Sequence, residues 1–176
     1  MGEVLNLKDK EKAFLAYRPE RELFLGIDFG YRNPFACLWL QPIERGERVL
    51  VLDEYYQRFR TTLENGKAIL NQHQASGYGA ITEAFADPSD PDKRAMLSDI
   101  LGIEVRAPRR PVEVGQELVR RWLKVRPDGK PGLLIHHRCK ELISELKGYM
   151  VHEPGKGRHH ALDALRYFFA GWHGEG

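Results

Sequence analysis

Three aspartates stand where a carboxylate needs a reason. Asp28 interrupts the apolar run Leu23-Phe24-Leu25-Gly26-Ile27-Asp28-Phe29, and such a run, bounded by Gly30, has the composition of a central strand covered on both faces. An ionised carboxylate there is desolvated at large cost unless it meets a cation, a proton or a set of donors. Asp28 is therefore a metal ligand, a residue facing nucleotide phosphates through a metal, or a structural side chain bonding the following turn. Asp87 closes the run over 80–86 at Asp87-Pro88-Ser89-Asp90-Pro91, where proline cannot continue a ladder. In open sheets joined by helical crossovers, ligands bind beyond such strand ends. Asp163 lies inside the mostly apolar stretch 159–172, which reads as a helix packed against the sheet. Helical spacing puts His159, His160, Arg166 and Tyr167 on its side, so an ion pair with Arg166 is a purely structural reading of Asp163.

If the strands carrying Asp28 and Asp87 are neighbours, their chains run about 4.8 Å apart, and a helix laid across them adds Asp163 from the side. Three carboxylates so placed repel one another and raise each other's pKa unless a divalent cation neutralises them. Hard oxygen ligands with open water positions suit Mg2+ or Mn2+. Two such ions roughly 3.5 to 4 Å apart can activate a water and steady the leaving oxygen in phosphodiester cleavage. A zinc site built from His136, His137, His159 and His160 is poorly spaced by comparison.

The elements that must position these residues follow from periodicity and turns. Strands are expected over 23–30, 35–40 and 49–56, joined by Tyr31-Arg32-Asn33-Pro34 and Arg45-Gly46 into an antiparallel meander. A helix over 61–75, capped by Thr61 or Thr62, crosses to a fourth strand over 80–86 that a helical crossover makes parallel to the first. A short helix over 92–101, a fifth strand over 103–105 and a helix over 114–125 come next. The turn Arg126-Pro127-Asp128-Gly129-Lys130-Pro131-Gly132 leads to 133–135, which can pair back as a short strand, and 122–136 is expected to project as a hairpin beside the cleft. Helices over 141–149 and 159–172 end the chain. The fold class is α/β, with a mixed five-stranded central sheet flanked by helices.

At 176 residues, 42% hydrophobic and 30% charged, the chain suits one soluble domain with a real core. No apolar run is long enough to span a bilayer, and the first residues lack the apolar core of a signal peptide, which reads as a cytosolic protein. Cys37 and Cys139 have no CxxC spacing and read as reduced core thiols. The net charge of +2 hides an asymmetry: Lys and Arg number 13 against 16 acids in residues 1–102, but 13 against 7 in residues 103–160. That basic quarter suits a polyanion, although an ordinary solvated helix face has the same composition.

The strand order, GIDFG, a strand ending in AFADPSDP, and the terminal HHALDALRY resemble the C-terminal nuclease domain of the large terminase subunit of tailed bacteriophages. The resemblance covers about residues 22–172. It implies an RNase H-like fold and an endonuclease that cleaves concatemeric double-stranded viral DNA during packaging, with little sequence specificity, in the cytoplasm of the infected bacterium. It implies Asp28, Asp87 and Asp163 as catalytic, metal-binding acids for Mg2+ or Mn2+, with two ions in the catalytic state. The family often has an acid four positions before the last of these, and here His159 stands there; His159 and His160 become candidate accessory residues. Arg106, Arg109, Arg110, Arg120, Arg121, Lys124, Arg126, Lys130, Lys156 and Arg158 become the DNA surface, holding phosphates without reading sequence. Such subunits also carry an ATPase motor and meet a small terminase subunit and a portal. No GxxxxGK followed by Ser or Thr occurs, so residues 1–21 are expected to be the tail of a linker and 22–176 the nuclease domain. Rival readings are a Holliday-junction resolvase or an RNase H of the same fold, and a DNA-binding module without activity. An actin-like ATPase half needs a second nucleotide-binding half that this length does not hold.

Overall fold

The computed structural model describes residues 14–151 and 159–172. Strands β1 (Phe24–Asp28), β2 (Phe35–Ile43) and β3 (Arg48–Gln57) form the antiparallel meander. β2 runs on through Pro42, which costs no bond on the β1 side because β1 pairs only as far as Leu40. Helix α1 (Thr62–Ser76) starts on a capping box in which the Thr61 hydroxyl accepts from Glu64 N–H and Glu64 accepts from Thr61 N–H. It crosses to β4 (Glu83–Ala86), which pairs parallel to β1. Asp90 caps α2 (Pro91–Leu101), with Pro91 at the first helical position, and β5 (Val105–Arg106) adds a parallel edge to β4. Then come α3 (Val112–Leu123), β6 (Leu133–Ile135), α4 (Lys140–Val151) and α5 (His160–Trp172).

The sheet has six strands rather than the five expected, in the order β5-β4-β1-β2-β3-β6. β6 pairs parallel with β3, and Gly132 O and His136 N–H extend that ladder to Val49 and Val51. β3 thereby ceases to be a long apolar edge.

Alternation along the strands divides the core in two. Leu23, Leu25, Ile27, Ala84 and Ala86 face α1 and α2 with Ile69 and Leu97. Phe24 and Phe85 face the other way, packing with Leu118, Val119, Leu142, Ala164 and Phe168 of α3, α4 and α5. Gly26 lets α5 lie directly on β1, since a Cβ there would come 2.3 Å from Ala164 O; Gly115 does the same for α3 against Arg166 O, at 2.4 Å. Close backbone approach of this kind admits only glycine.

The tether expected before β1 is docked on the domain where it is described. Leu15 and Tyr17 pack on the α1/α2 core, with Tyr17 against Tyr78. Gln41, fully buried, accepts from Arg18 N–H (2.9 Å) and donates to the carbonyls of Arg18, Arg21 and Glu22. A buried amide needs such partners, so residues 18–22 complete β2's environment rather than hanging free.

Candidate active site

Asp28 is the last residue of β1, and alternation points it to the α5 face with Phe24 and Gly26. β4 ends at Ala86 opposite Ile27, so Asp87 stands on the next row, beside Asp28 and on the same face as Phe85. Asp163 comes from the first turn of α5, which the glycine contact at Gly26 holds against β1. Two neighbouring parallel strand ends and the head of one helix therefore bring the three acids to one place. Tyr167, one turn after Asp163, sits among them: burial and then the charges of Asp28, Asp87 and Asp163 push its hydroxyl far up.

The electrostatics are those of crowded anions. Asp28 is 6% exposed, and its carboxyl is pushed up to about 6, first by burial and further by Asp163 and Asp87, while His160 pulls it down. His160 Nδ1 lies 3.4 Å from Asp28 Oδ2, and that contact raises the imidazole above its ordinary value. Burial also raises Asp163, against the pull of Arg166, whose guanidinium donates to Asp163 Oδ1 at 2.6 Å. Asp87 Oδ1 accepts from the amide and hydroxyl of Ser89, at 2.8 and 2.7 Å. Both ring nitrogens of His159 are buried without a hydrogen-bond partner.

Each aspartate is thus turned toward a partner of its own: Asp28 to His160, Asp87 to Ser89 and Asp163 to Arg166. In these orientations no group of three or more His, Cys, Asp or Glu side chains among the described residues is arranged to hold a metal ion. The chemistry of the donor set nonetheless fits a hard divalent cation, because three carboxylates share one face and two of them are held above the usual carboxylate range. The four histidines do not assemble. His136 follows β6 and is bonded by Arg138, whereas His159 and His160 stand at the head of α5.

A fourth carboxylate escaped sequence reasoning. Glu145 of α4 is buried and accepts from the amides of Ala161 and Leu162, at 3.3 and 3.0 Å, and from Tyr56 Oη at 2.8 Å. It caps the free N–H groups at the head of α5. Glu54 does the same for Glu141 and Leu142 at the head of α4. Nothing in the local spacing of Glu145 announces this, because the partners lie 16 and 17 residues away.

The expected DNA surface is dispersed. Arg109 donates to Gly171 O and pairs with Glu83 at the start of β4, the end of the strand away from Asp87. Arg110 N–H bonds Ala170 O nearby. The turn over 125–131 is not beside the aspartates: Asp128 is bound by Arg48 at the start of β3, at the opposite end of the sheet, which carries Arg126 and Lys130 there. The hairpin expected beside the cleft is thereby corrected, the reason being a buried arginine that fastens its tip. Arg106 pairs with Glu104 on the edge strand and Arg121 with Glu117, and Lys124 ends α3. Among the described residues of this set Arg120 reaches toward the aspartates, donating to Tyr149 Oη, whose ring meets His159 and Arg166. Lys156 and Arg158 lie outside the described residues. Cations that sequence reasoning passed over stand closer: Lys93 lies over the Phe29 ring and Arg94 donates to Asp87 O. Their signal was position, just after a strand that ends in an acid.

Neither a family model nor a curated protein matches this sequence. Solved structures do. The P22 large terminase nuclease domain superposes with a TM-score of 0.69 at 15% identity, covering 88% of this chain and 83% of that one. The nuclease domain of the SPP1 large terminase, with bound Mn, gives 0.61 at 22% identity over 92% and 89%. A large terminase of a thermophilic bacteriophage gives 0.68 at 22% identity, covering 88% of this chain; the chain spans 41% of that terminase's length. The chain has the fold of large terminase nuclease domains.

Proposed function

We propose that this chain is the nuclease domain of a phage large terminase, a metal-dependent endonuclease that cuts double-stranded DNA during genome packaging. The observation that carries the reading is the meeting of Asp28, Asp87 and Asp163 on one face around Tyr167, in a fold shared with such nucleases. Asp28, Asp87 and Asp163 would hold Mg2+ or Mn2+, one ion or two. The bound metal supplies a Lewis acid for the phosphoryl oxygen and a water acidic enough to attack near neutral pH.

The chain's own residues do the rest. Asp28 would turn from His160 to hold the cation, and His160, whose Nδ1 lies 3.4 Å from Asp28 Oδ2, would hold a proton beside the scissile phosphate. Arg166 releases Asp163 and remains as a cation against the phosphate charge. Tyr167 is kept protonated among the three acids. Lys93, Arg94 and Arg120 would hold backbone phosphates, which positions duplex without selecting sequence. In the whole subunit residues 1–21 would join this domain to an ATPase motor that works with a small subunit and a portal in the host cytoplasm.

The test is nicking of supercoiled plasmid in Mn2+ by the wild type and by Asp28→Asn, Asp87→Asn and Asp163→Asn. Activity in the wild type that each substitution abolishes, with melting behaviour retained, supports the reading. Cutting retained by a folded, metal-loaded variant rejects it. Preference for four-way junctions or RNA-DNA hybrids over linear duplex would move the assignment to a resolvase or an RNase H.

A further inference from the structure

At the same end of the sheet as the three aspartates, beyond β1 and β3, two aromatic rings stand in solvent. Tyr31 is 54% exposed and Phe59 65%. Their rings meet edge to face, with centroids 5.9 Å apart and planes at 90°. Core packing does not account for either ring.

The backbone shows that the arrangement is held deliberately. Phe59 has φ of +58°, in the left-handed region that a bulky residue rarely adopts. Phe59 N–H donates to Tyr31 O at 2.7 Å, which ties the two loops together and keeps the strained conformation. A strained backbone that presents an apolar ring to water, rather than hiding it, is kept for what the ring touches.

The neighbours indicate what that is. Arg58 and Arg60 flank Phe59 and Arg32 follows Tyr31, all three exposed; among the described residues neither Arg32 nor Arg58 is ion-paired. Aromatic faces interleaved with arginines suit nucleobases joined by phosphates. Three like charges around the rings disfavour a second copy of the same face. The bases of an intact duplex are already stacked, so only unpaired bases offer a face. The position is apt: the pairing Asp28 with Ala36 with Tyr56 puts the end of β3 on the row of Asp28, two strand spacings or roughly 10 Å away.

We propose that Tyr31 and Phe59 form a stacking platform for an unpaired nucleobase beside the scissile phosphate, with Arg32 and Arg58 on the adjoining phosphates. The domain then prefers a frayed or single-stranded segment next to duplex over a blunt duplex. This deepens the nuclease reading and rests on it.

The experiment compares binding, without added metal, of a blunt duplex and of the same duplex with a short unpaired tail carrying 2-aminopurine. The wild type is expected to bind the tailed duplex about tenfold more tightly and to quench the probe. Phe59→Gly, which also relieves the positive φ, and Tyr31→Leu are expected to remove the preference and the quenching, and to leave blunt-duplex affinity within about twofold. Equal affinities in the wild type, or a preference that survives in a Phe59→Gly variant of unchanged melting temperature, overturns the platform. So does a change in sedimentation of the variants with DNA preference intact, which would mean that the face covers another copy. A wild type that nicks plasmid in Mn2+ but ignores the tail sinks only the platform; a wild type that binds tails but never nicks sinks the nuclease reading.

Discussion

The two ends of the sheet carry similar residues in opposite states. Where β3 begins, Arg48 is buried between Glu44 and Asp128, and where β4 begins Arg109 bridges Glu83 and the Gly171 carbonyl. Charges there are matched by their opposites, and the result is a fastening. Where β1 and β4 end, three aspartates face one imidazole and one guanidinium, and two of the acids are raised, Asp28 by burial and by the other two aspartates, Asp163 by burial. Paired charges hold structure, whereas surplus charges of one sign wait for a ligand. Composition alone does not distinguish the two.

The comparison breaks most visibly in activity. Asp28→Asn and Asp163→Asn are each expected to lower Mn2+-dependent nicking by about 1,000-fold or more, a barrier increase of about 4 kcal/mol, while Arg48→Met stays within about twofold; plasmid nicking measures both. A variant at Arg48 that lost activity as badly would erase the distinction between the ends.

Stability against pH sharpens it. A carboxyl raised from 3.8 to about 6 in the folded state binds its proton more tightly folded than unfolded. Its unfavourable contribution is absent below pH 3.8, grows through the interval to pH 6 and is complete above it. Metal-free Asp28→Asn should therefore gain on the wild type across that window, by on the order of 2 to 3 kcal/mol at pH 7.5, in urea unfolding at several pH values. Added Mn2+ should raise the wild-type midpoint above pH 6 and leave Asp28→Asn nearly unmoved.

Smaller effects test the supports. Glu145→Ala strands the amides of Ala161 and Leu162 at the head of α5, and a loss of about 2 kcal/mol is expected by chemical denaturation. Arg48→Met removes a pair whose acids are partly exposed, so about 1 kcal/mol is expected. Least of all, Arg120→Ala should reduce the salt slope of duplex binding by roughly one, and Arg109→Ala should leave the slope unchanged, as filter binding at several salt concentrations will show.

Local patterns made much of this architecture legible. The meander, the capping of α1 at Thr61 and the parallel crossover to β4 all follow from turns and periodicity within short windows. Asp28 and Asp163 stood out as acids in apolar runs and Asp87 as the acid that ends a strand, and the structure brings them to one face. What stayed illegible was long-range: β6 pairing with β3 rather than with its own turn, Gln41 fastening residues 18–22, and Glu145 capping a helix one element away.

The basic third quarter shows the same division from the other side. Charge counts identified a cluster along the chain, but adjacency in sequence became separation in space once Arg48 captured Asp128 and Glu83 captured Arg109. By itself the sequence determined that Asp28 would be buried, since the burial of a central strand is written in its own apolar pattern. Only the tertiary structure decided which cations those carboxylates meet, because the choice of partner depends on which backbone ends come together when the sheet and its helices pack.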